Sequence, residues 1–474
     1  EAFDQIQEEW KADPPRPVLI HGVTGSGKTQ VYMKLIRQVI DEGKQVIVLV
    51  PEIALTYQTV RRFYGWFGEK VSVLNSRLSA GERYDQFKRA KRGEIQIMVG
   101  PRSALFTPFS NLGLITIDEE HEQSYKSENS PRYHARETAL YRAQMENARL
   151  VLGSATPSLE AYTKAKNGEF RLVKLKARFE DRPLPKVSVV DLREELREGN
   201  RSVLSRSLTN AIENRLECGE QAILFLNRRG YAGFVSCRSC GEVLKCPHCD
   251  VALTEHNNGR LVCHYCGYEQ PRVEKCPVCG SPYIGGFKAG TQQIEQVLHK
   301  NFPKARILRM DYDTTRAKGS YEKILSSFAA HAADILVGTQ MIVKGHDFPD
   351  VTLVGALAAD LSLNAADYRS AERTFQLLTQ AVGRSGRGTK PGEAIIQSYH
   401  PDHYSIRTAA EQDYEAFYQE EMAYRMLMDY PPAAHMLSVL VSGENEELLE
   451  QGMDYLAKFV ERIASRYRIH VIGP

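Results

Sequence analysis

No apolar run in this chain is long enough to cross a bilayer, which excludes a helical membrane-spanning role, and no signal-peptide pattern stands at its first residues. It also lacks an excess of either charge: Lys and Arg number 61 against 59 Asp and Glu. A basic surface over the whole chain is therefore excluded, and any nucleic-acid contact must come from locally placed cations. There is no internal repeat and no low-complexity tract. A disulfide framework is disfavoured, because the nine cysteines are odd in number and eight of them form four Cys-x-x-Cys pairs. That leaves a soluble protein of ordinary make-up, 42% hydrophobic and 25% charged, whose 474 residues need two to four cores. The chain opens on Glu1 and stops at Pro474 inside a strand-like run, so a fragment of a longer protein is expected.

Residues 22–29 read Gly22-Val-Thr24-Gly25-Ser26-Gly27-Lys28-Thr29, after a short apolar run at 18–21. Strand, glycine loop, helix is the context of a phosphate-binding loop. The glycines turn backbone N–H groups towards a polyphosphate, and the following helix adds its positive end. Lys28 is expected on the β- and γ-phosphates and Thr29 on Mg²⁺. Further β-rich runs at 44–50, 71–74, 95–99, 114–117 and 150–152 alternate with helical patterns, which implies a parallel sheet covered on both faces. A charged, proline-bearing connector at 178–185 leads to a second such unit, with strands expected at 222–226, 305–310, 334–337, 353–356 and 393–397. Residues 402–429 read as helix, and after Tyr430-Pro-Pro432 a strand at 436–441, a helix and a strand at 469–472 suggest the start of another domain.

Asp118-Glu119-Glu-His121 ends the 114–117 run, where ligands bind in such sheets. Asp118 is placed to hold Mg²⁺ and Glu119 to act as base on the attacking water. The Ser/Thr turn at 153–157 ends the next strand and can supply a hydroxyl link between the two units. In the second unit Gly345, Asp347, Gln380, Arg384 and Arg387 stand out, the arginines as fingers for charge on a transferring phosphoryl. Between residues 123 and 136, Tyr125, Lys126, Arg132 and Tyr133 interleave rings with cations, a pattern for stacking bases and tracking a single strand.

The cysteine pairs are Cys237/Cys240, Cys246/Cys249, Cys263/Cys266 and Cys276/Cys279. Eight thiolates make two closed tetrahedral Zn²⁺ sites. We expect a nested arrangement, with the inner four sharing one ion and the outer four the other. A sequential pairing is the competitor. His248 and His264 are not expected as ligands, and Cys218 is left as a lone thiol.

Taken in order, these motifs resemble those of the superfamily 2 helicases: the phosphate loop, 48–56, 99–106 with Arg102, 118–121, 153–157, 225–231 with Asn227 and Arg228, 337–347 and 380–387. The inserted cysteine segment, the aromatic-rich loop and Tyr430-Pro-Pro432 are similar to those of the bacterial primosomal replication-restart helicases. That resemblance implies an α/β protein with two RecA-like lobes, a two-zinc insertion in the second, and a partial C-terminal α+β domain. The expected division is 1–180, 181–235, 236–280, 281–429 and 430–474.

The resemblance also implies ATP, Mg²⁺ and two Zn²⁺, and 3′-to-5′ unwinding at stalled or repaired forks. The implied partners are single-stranded and forked DNA, single-stranded DNA-binding protein, and primosome and helicase-loader proteins. The expected protein is a monomer in the bacterial cytoplasm, associated with the nucleoid and not with membrane. Arg102, Asn227 and Arg228 join the DNA contacts, and Gln123 links the loop to the nucleotide. The family's N-terminal DNA-binding region has no counterpart in these residues. A loading scaffold with secondary ATP turnover, and another superfamily 2 translocase acting on RNA or in restriction, are the alternative functions.

Overall fold

The computed structural model describes residues 1–52, 57–175, 178, 183–226, 234–248, 252–256, 258–263, 267–286, 290–317, 319–343, 348–364, 367–439, 441–467 and 469. The chain divides into two compact units, Glu1–Tyr424 and Arg425–Pro474.

The first unit holds two all-parallel sheets. Strands β1 (Val18–Gly22), β2 (Gln45–Leu49), β3 (Val71–Val73), β4 (Ile97–Gly100), β5 (Leu112–Asp118), β6 (Arg149–Ser154) and β7 (Arg171–Leu175) lie in the order β3-β4-β2-β5-β6-β1-β7. Val, Ile and Leu dominate the central strands because both faces are covered by helices. The Lys28–Asp41 helix shows the pairing of pattern and burial. Tyr32, Met33, Leu35, Ile36, Val39 and Ile40 recur at helical spacing and are buried against the sheet.

The second lobe starts with β8 (Lys186–Asp191) and β9 (Gln221–Leu226). The cysteine segment follows, with short strands β10 (Val235–Cys237), β11 (Thr254–Glu255), β12 (Arg260–Val262), β13 (Glu269–Pro271) and β14 (Ile284–Gly286). Strands β15 (Ile307–Met310), β16 (Ile335–Gly338), β17 (Val351–Leu357) and β18 (Glu393–Ser398) complete a sheet in the order β15-β16-β9-β17-β18-β8. The insertion therefore leaves from the end of a central strand, and among the described residues its strands pair only with one another: β10 with β14, and β12 with both β11 and β13.

Strands β7 and β8 are absent from the sequence reading. Both are edge strands whose side chains are mostly half-buried or exposed, so they lack the continuous apolar run of an inner strand. One expected strand is not formed. Residues 436–439 and 441 have no ladder partner among the described residues, and Leu437 is 91% exposed. An apolar run without a neighbour gains nothing from extended pairing. In this unit the described regular structure is the Glu446–Tyr467 helix. The expected strand at 469–472 lies outside the described residues except for Ile469, which is unpaired in the backbone ladder sense.

Candidate nucleotide cleft and metal centre

Strand β1 ends at Gly22, where a Cβ would lie 2.5 Å from the Ser26 hydroxyl and 2.9 Å from the Leu175 Cβ. The loop then turns through Gly25 and Gly27 at φ +82° and +86°, a region glycine enters without a Cβ penalty. Lys28 opens the helix and its Nζ donates to the Gly22 carbonyl at 2.8 Å. Across the loop, β5 delivers Asp118. Tyr32, one helical turn after Lys28, donates its hydroxyl to Asp118 Oδ1 at 3.2 Å. Burial pushes the Asp118 carboxyl up to about 6, and Glu119 adds to this while Lys28 opposes it. Glu119 sits at φ +46°, and its Oε2 is buried 3.7 Å from His121 Nδ1, without a hydrogen bond among the described residues. A buried acid pushed up beside a lysine, and an adjoining carboxylate oxygen without a hydrogen bond, fit a site for a hydrated divalent cation and a polyphosphate.

The second lobe closes the same cleft, a cavity of about 380 Å³. Thr24 to Thr29, Asp118 and Glu119 line one side, and Gln380, Arg384 and Arg387 line the other. These eleven sequence-selected residues are brought together by folding. Gly345 and Asp347 lie outside the described residues. The lobes meet closely here: a Cβ on Gly383 would fall 2.6 Å from Thr24 Oγ1. A polar chain crosses the gap, with Ser154 Oγ 2.7 Å from His121 Nδ1 and His121 Nε2 2.7 Å from Gln380 Nε2. The hydroxyl at the 153–157 turn thus reaches the second lobe through one imidazole. Tyr32, Arg62, Phe63 and Glu122 also line the cleft, and none was singled out by sequence. Of these, only Tyr32 carried a signal, its helical i+4 spacing from Lys28.

Acidic side chains fasten the lobes outside the cleft. Glu415 accepts from Tyr162 at 2.5 Å and pairs with Lys166 at 2.6 Å and Lys174 at 3.5 Å. Burial raises its proton affinity, but these donors outweigh burial and hold it at about 2. Glu160 is also held well below its ordinary value of 4.5, Arg136 and Arg369 overcoming its burial. Folded values below the unfolded ones mean stabilisation that is complete above about 4.5 and is lost as pH falls towards 2. Hydrogen exchange should show lobe-interface amides losing protection in that window, before the sheet cores do. Glu415→Gln should flatten the dependence.

The aromatic-rich loop needs one correction. Tyr125 is 1% exposed, so it offers no face for a base. It belongs to the first lobe's core, and its hydroxyl donates to the Asp118 carbonyl at 2.7 Å. Composition showed a ring between cations but not which way the ring turns. Lys126 and Arg132 are exposed, and Tyr133 is half-buried with its ring edge-on to exposed Phe106 at 5.2 Å. Arg102 donates to the Ser124 and Lys126 carbonyls at 2.6 and 3.2 Å, bracing the loop. Gln123 is exposed at the start of the single turn that ends in Tyr125. Asn227 and Arg228 lie outside the described residues. Tyr125→Phe should cost about 1 kcal/mol in denaturant unfolding and leave single-strand affinity unchanged. A fall in affinity alone, at constant stability, would restore the stacking role.

In the cysteine segment the sulfurs of Cys237, Cys240, Cys276 and Cys279 lie within 4.8 Å of one another. Cys237 and Cys279 are 3.6 Å apart and Cys240 and Cys276 3.7 Å. Tetrahedral Zn²⁺ with ~2.3 Å bonds needs sulfurs roughly 3.8 Å apart, so the four fit that ion. The outer pairs have come together as the nested arrangement requires. Gly241 and Gly280 follow these pairs at φ +87° and +70°, closing each knuckle with a bond back to the first cysteine's carbonyl. The repeated Cys-x-x-Cys-Gly was a sequence signal for knuckles that ligand counting alone passes over. Of the inner four, Cys246 and Cys263 are buried in the same small core, and Cys249, Cys266 and His264 lie outside the described residues. The ring of His248 packs edge-on to Tyr268, and Cys218 is exposed at a helix end.

Two parallel-sheet lobes, a phosphate loop in the first and paired arginines from the second define the two-lobed helicase class. Residues 2–165 match the DEAD/DEAH box helicase family and 286–389 the helicase conserved C-terminal domain. Residues 246–271 match the PriA DNA helicase Cys-rich region domain. The fold is similar to RecG bound to a three-way DNA junction, with TM-score 0.53 and 16% identity over 96% of this chain and 50% of that one. It is also similar to the DEAD-box helicase Mss116 bound to ssRNA, with TM-score 0.53 and 12% identity over 98% and 82%.

The chain belongs to the replication restart protein PriA family: it is 38% identical to the Rickettsia felis member over 97% of its own length and 70% of that protein. It is 53% identical to the Bacillus subtilis (strain 168) member over 97% of this chain, and spans 57% of that relative's length.

Proposed function

We propose that this chain is the motor of an ATP-dependent 3′-to-5′ DNA helicase of replication restart, acting at stalled or repaired forks and assisting the loading of the replicative helicase. One observation carries the motor reading: a single cleft is lined by the phosphate loop and carboxylates of one lobe and the arginines of the other. Lys28 binds the β- and γ-phosphates of ATP. Thr29 and Asp118 would hold Mg²⁺, which supplies charge neutralisation at the phosphates. Glu119 orients the attacking water and accepts its proton, and Arg384 and Arg387 neutralise charge on the transferring phosphoryl. Closure on ATP and opening after hydrolysis let the lobes step along one strand, gripped from Arg102, Lys126, Arg132 and Tyr133 and from Asn227 and Arg228.

The proposed division is 1–180 for the first lobe, 181–235 and 281–429 for the second, 236–280 for the zinc module and 430–474 for the start of a C-terminal domain. The inner cysteines hold a second Zn²⁺. Partners are forked and single-stranded DNA, single-stranded DNA-binding protein and loader proteins, met by a monomer in the bacterial cytoplasm. No helix among the described residues is long and apolar enough to cross a membrane.

Duplexes carrying a 3′ or a 5′ single-stranded tail test this directly. ATP-dependent unwinding from the 3′ tail, with hydrolysis stimulated by DNA and not by RNA, is the expected result. Equal stimulation by RNA would favour another superfamily 2 translocase.

A further inference from the structure

The 126–134 hairpin is tied to the nucleotide cleft by a second route that the aromatic rings do not supply. Lys126 and His134 form a backbone bridge, and the Ser127 N–H donates to the Tyr133 carbonyl at 2.8 Å, so the hairpin is closed at its base. His134 then caps the next helix, its Nδ1 accepting from the Arg136 N–H at 3.2 Å. The Arg136 side chain turns inward and is 7% exposed. It meets Glu120 at 3.1 Å and the Ser158 hydroxyl at 2.5 Å, and its Nε meets Glu137 at 3.1 Å.

Glu120 is fully buried and adjoins Glu119. It also accepts from the Ser158 N–H at 2.6 Å, which joins the carboxylate turn to the turn after β6. Two residues on, Glu160 feels the Arg136 charge and pairs with Arg369 of the second lobe at 3.0 Å. Beside this pair the Leu159 N–H donates to Glu372 of the second lobe at 3.1 Å. Lys164 stands 3.7 Å from Glu137 on the outer side. Two arginines and a lysine are thus shared among Glu120, Glu137 and Glu160, a cluster that runs in sequence from Glu120 to Arg369.

We infer that Arg136 is a positioning residue that couples strand binding on the hairpin to lobe closure, through Glu120 on one side and Glu160 with Arg369 on the other; this rests on the motor reading above. Arg136 follows His134 at the hairpin base by two residues and donates its N–H to the His134 ring, so a strand that shifts the hairpin shifts the guanidinium. Arg136 and Glu120 are the buried members, and such a shift cannot be absorbed gradually there, because a buried acid left without its partner is strongly disfavoured. The cluster therefore exchanges partners, and the exchange reaches the second lobe at Glu160, which Arg369 of that lobe holds. Neither Arg369 nor Glu160 lines the nucleotide cleft.

Arg369→Gln is the decisive variant, since Arg369 is 41% exposed and its loss leaves the lobe cores intact. Basal ATP hydrolysis and single-strand affinity should stay within about twofold, while the stimulation of hydrolysis by single-stranded DNA falls about tenfold. Arg136→Lys keeps the charge but loses the fork, and should lose stimulation similarly. Combined, the two should lose no more than either alone, because both cut one relay. Stimulation unchanged in Arg369→Gln, or losses that multiply in the double variant, would overturn the relay while leaving the motor reading in place. Absence of stimulation in the unaltered chain would overturn both.

Discussion

Replacing Arg387 or Arg384 by alanine should lower the turnover number for ATP by about 10³-fold or more, with a far smaller change in ATP affinity. The size follows from what an arginine finger does: it meets charge that spreads over the phosphoryl oxygens in the transition state and is weaker in the ground state. Each arginine is anchored on its own lobe's backbone, Arg384 Nε on the Val343 carbonyl at 2.6 Å and Arg387 Nε on the Gly383 carbonyl at 3.0 Å. Both guanidinium groups are therefore positioned by the second lobe, and in the proposed mechanism they meet the phosphates as the cleft closes. Lysine has no Nε–H on a planar fork, so Arg387→Lys should not rescue turnover. Lys28→Ala should behave differently and weaken nucleotide binding as well, because Lys28 holds phosphate in the ground state too. Steady-state hydrolysis beside a nucleotide titration separates the two patterns. Turnover within tenfold of the unaltered chain in both arginine variants would remove the finger assignment.

The second large effect is on the cysteine segment. Its described core is small: Val235, Leu244, Leu253, Leu261 and Ile284, with the cysteines themselves. Such a core cannot fold alone, whereas structural Zn²⁺ supplies on the order of 10–16 kcal/mol in small modules of this kind. Cys240→Ser should therefore unfold the outer knuckles and lower the zinc content from two ions per chain to one. The parallel sheets have their own cores and should keep their slow amide exchange. Hydrogen exchange and elemental analysis on one sample check both statements. Two ions retained in Cys240→Ser, or fewer than two in the unaltered chain, would contradict the nested two-site assignment.

Much of this arrangement is legible in the sequence because it is built from local signals. The inner strands are continuous apolar runs, and the phosphate loop and carboxylate turn each end one of them. The knuckles announce themselves by spacing. What is not legible depends on which neighbour a residue finds. Strands β7 and β8 are half-exposed edges, and their pairing is set by β1 and β18, far away in sequence. The run at 436–441 has the composition of a strand but no ladder among the described residues. Tyr125 and Tyr133 look alike in sequence, yet one is in the core and the other at the surface. Arg136, Glu160 and Arg369 look like solvated charges, and only folding shows that they share one ionic cluster.

In the proposed motor one triphosphate is held by charges from two lobes at once. A crystal structure of this chain with ADP and a beryllium or aluminium fluoride mimic of the γ-phosphoryl would show this arrangement or its absence. The mimic should lie within hydrogen-bonding distance of Lys28 on one side and of Arg384 and Arg387 on the other. A closed complex in which both arginines point away from the mimic would contradict it.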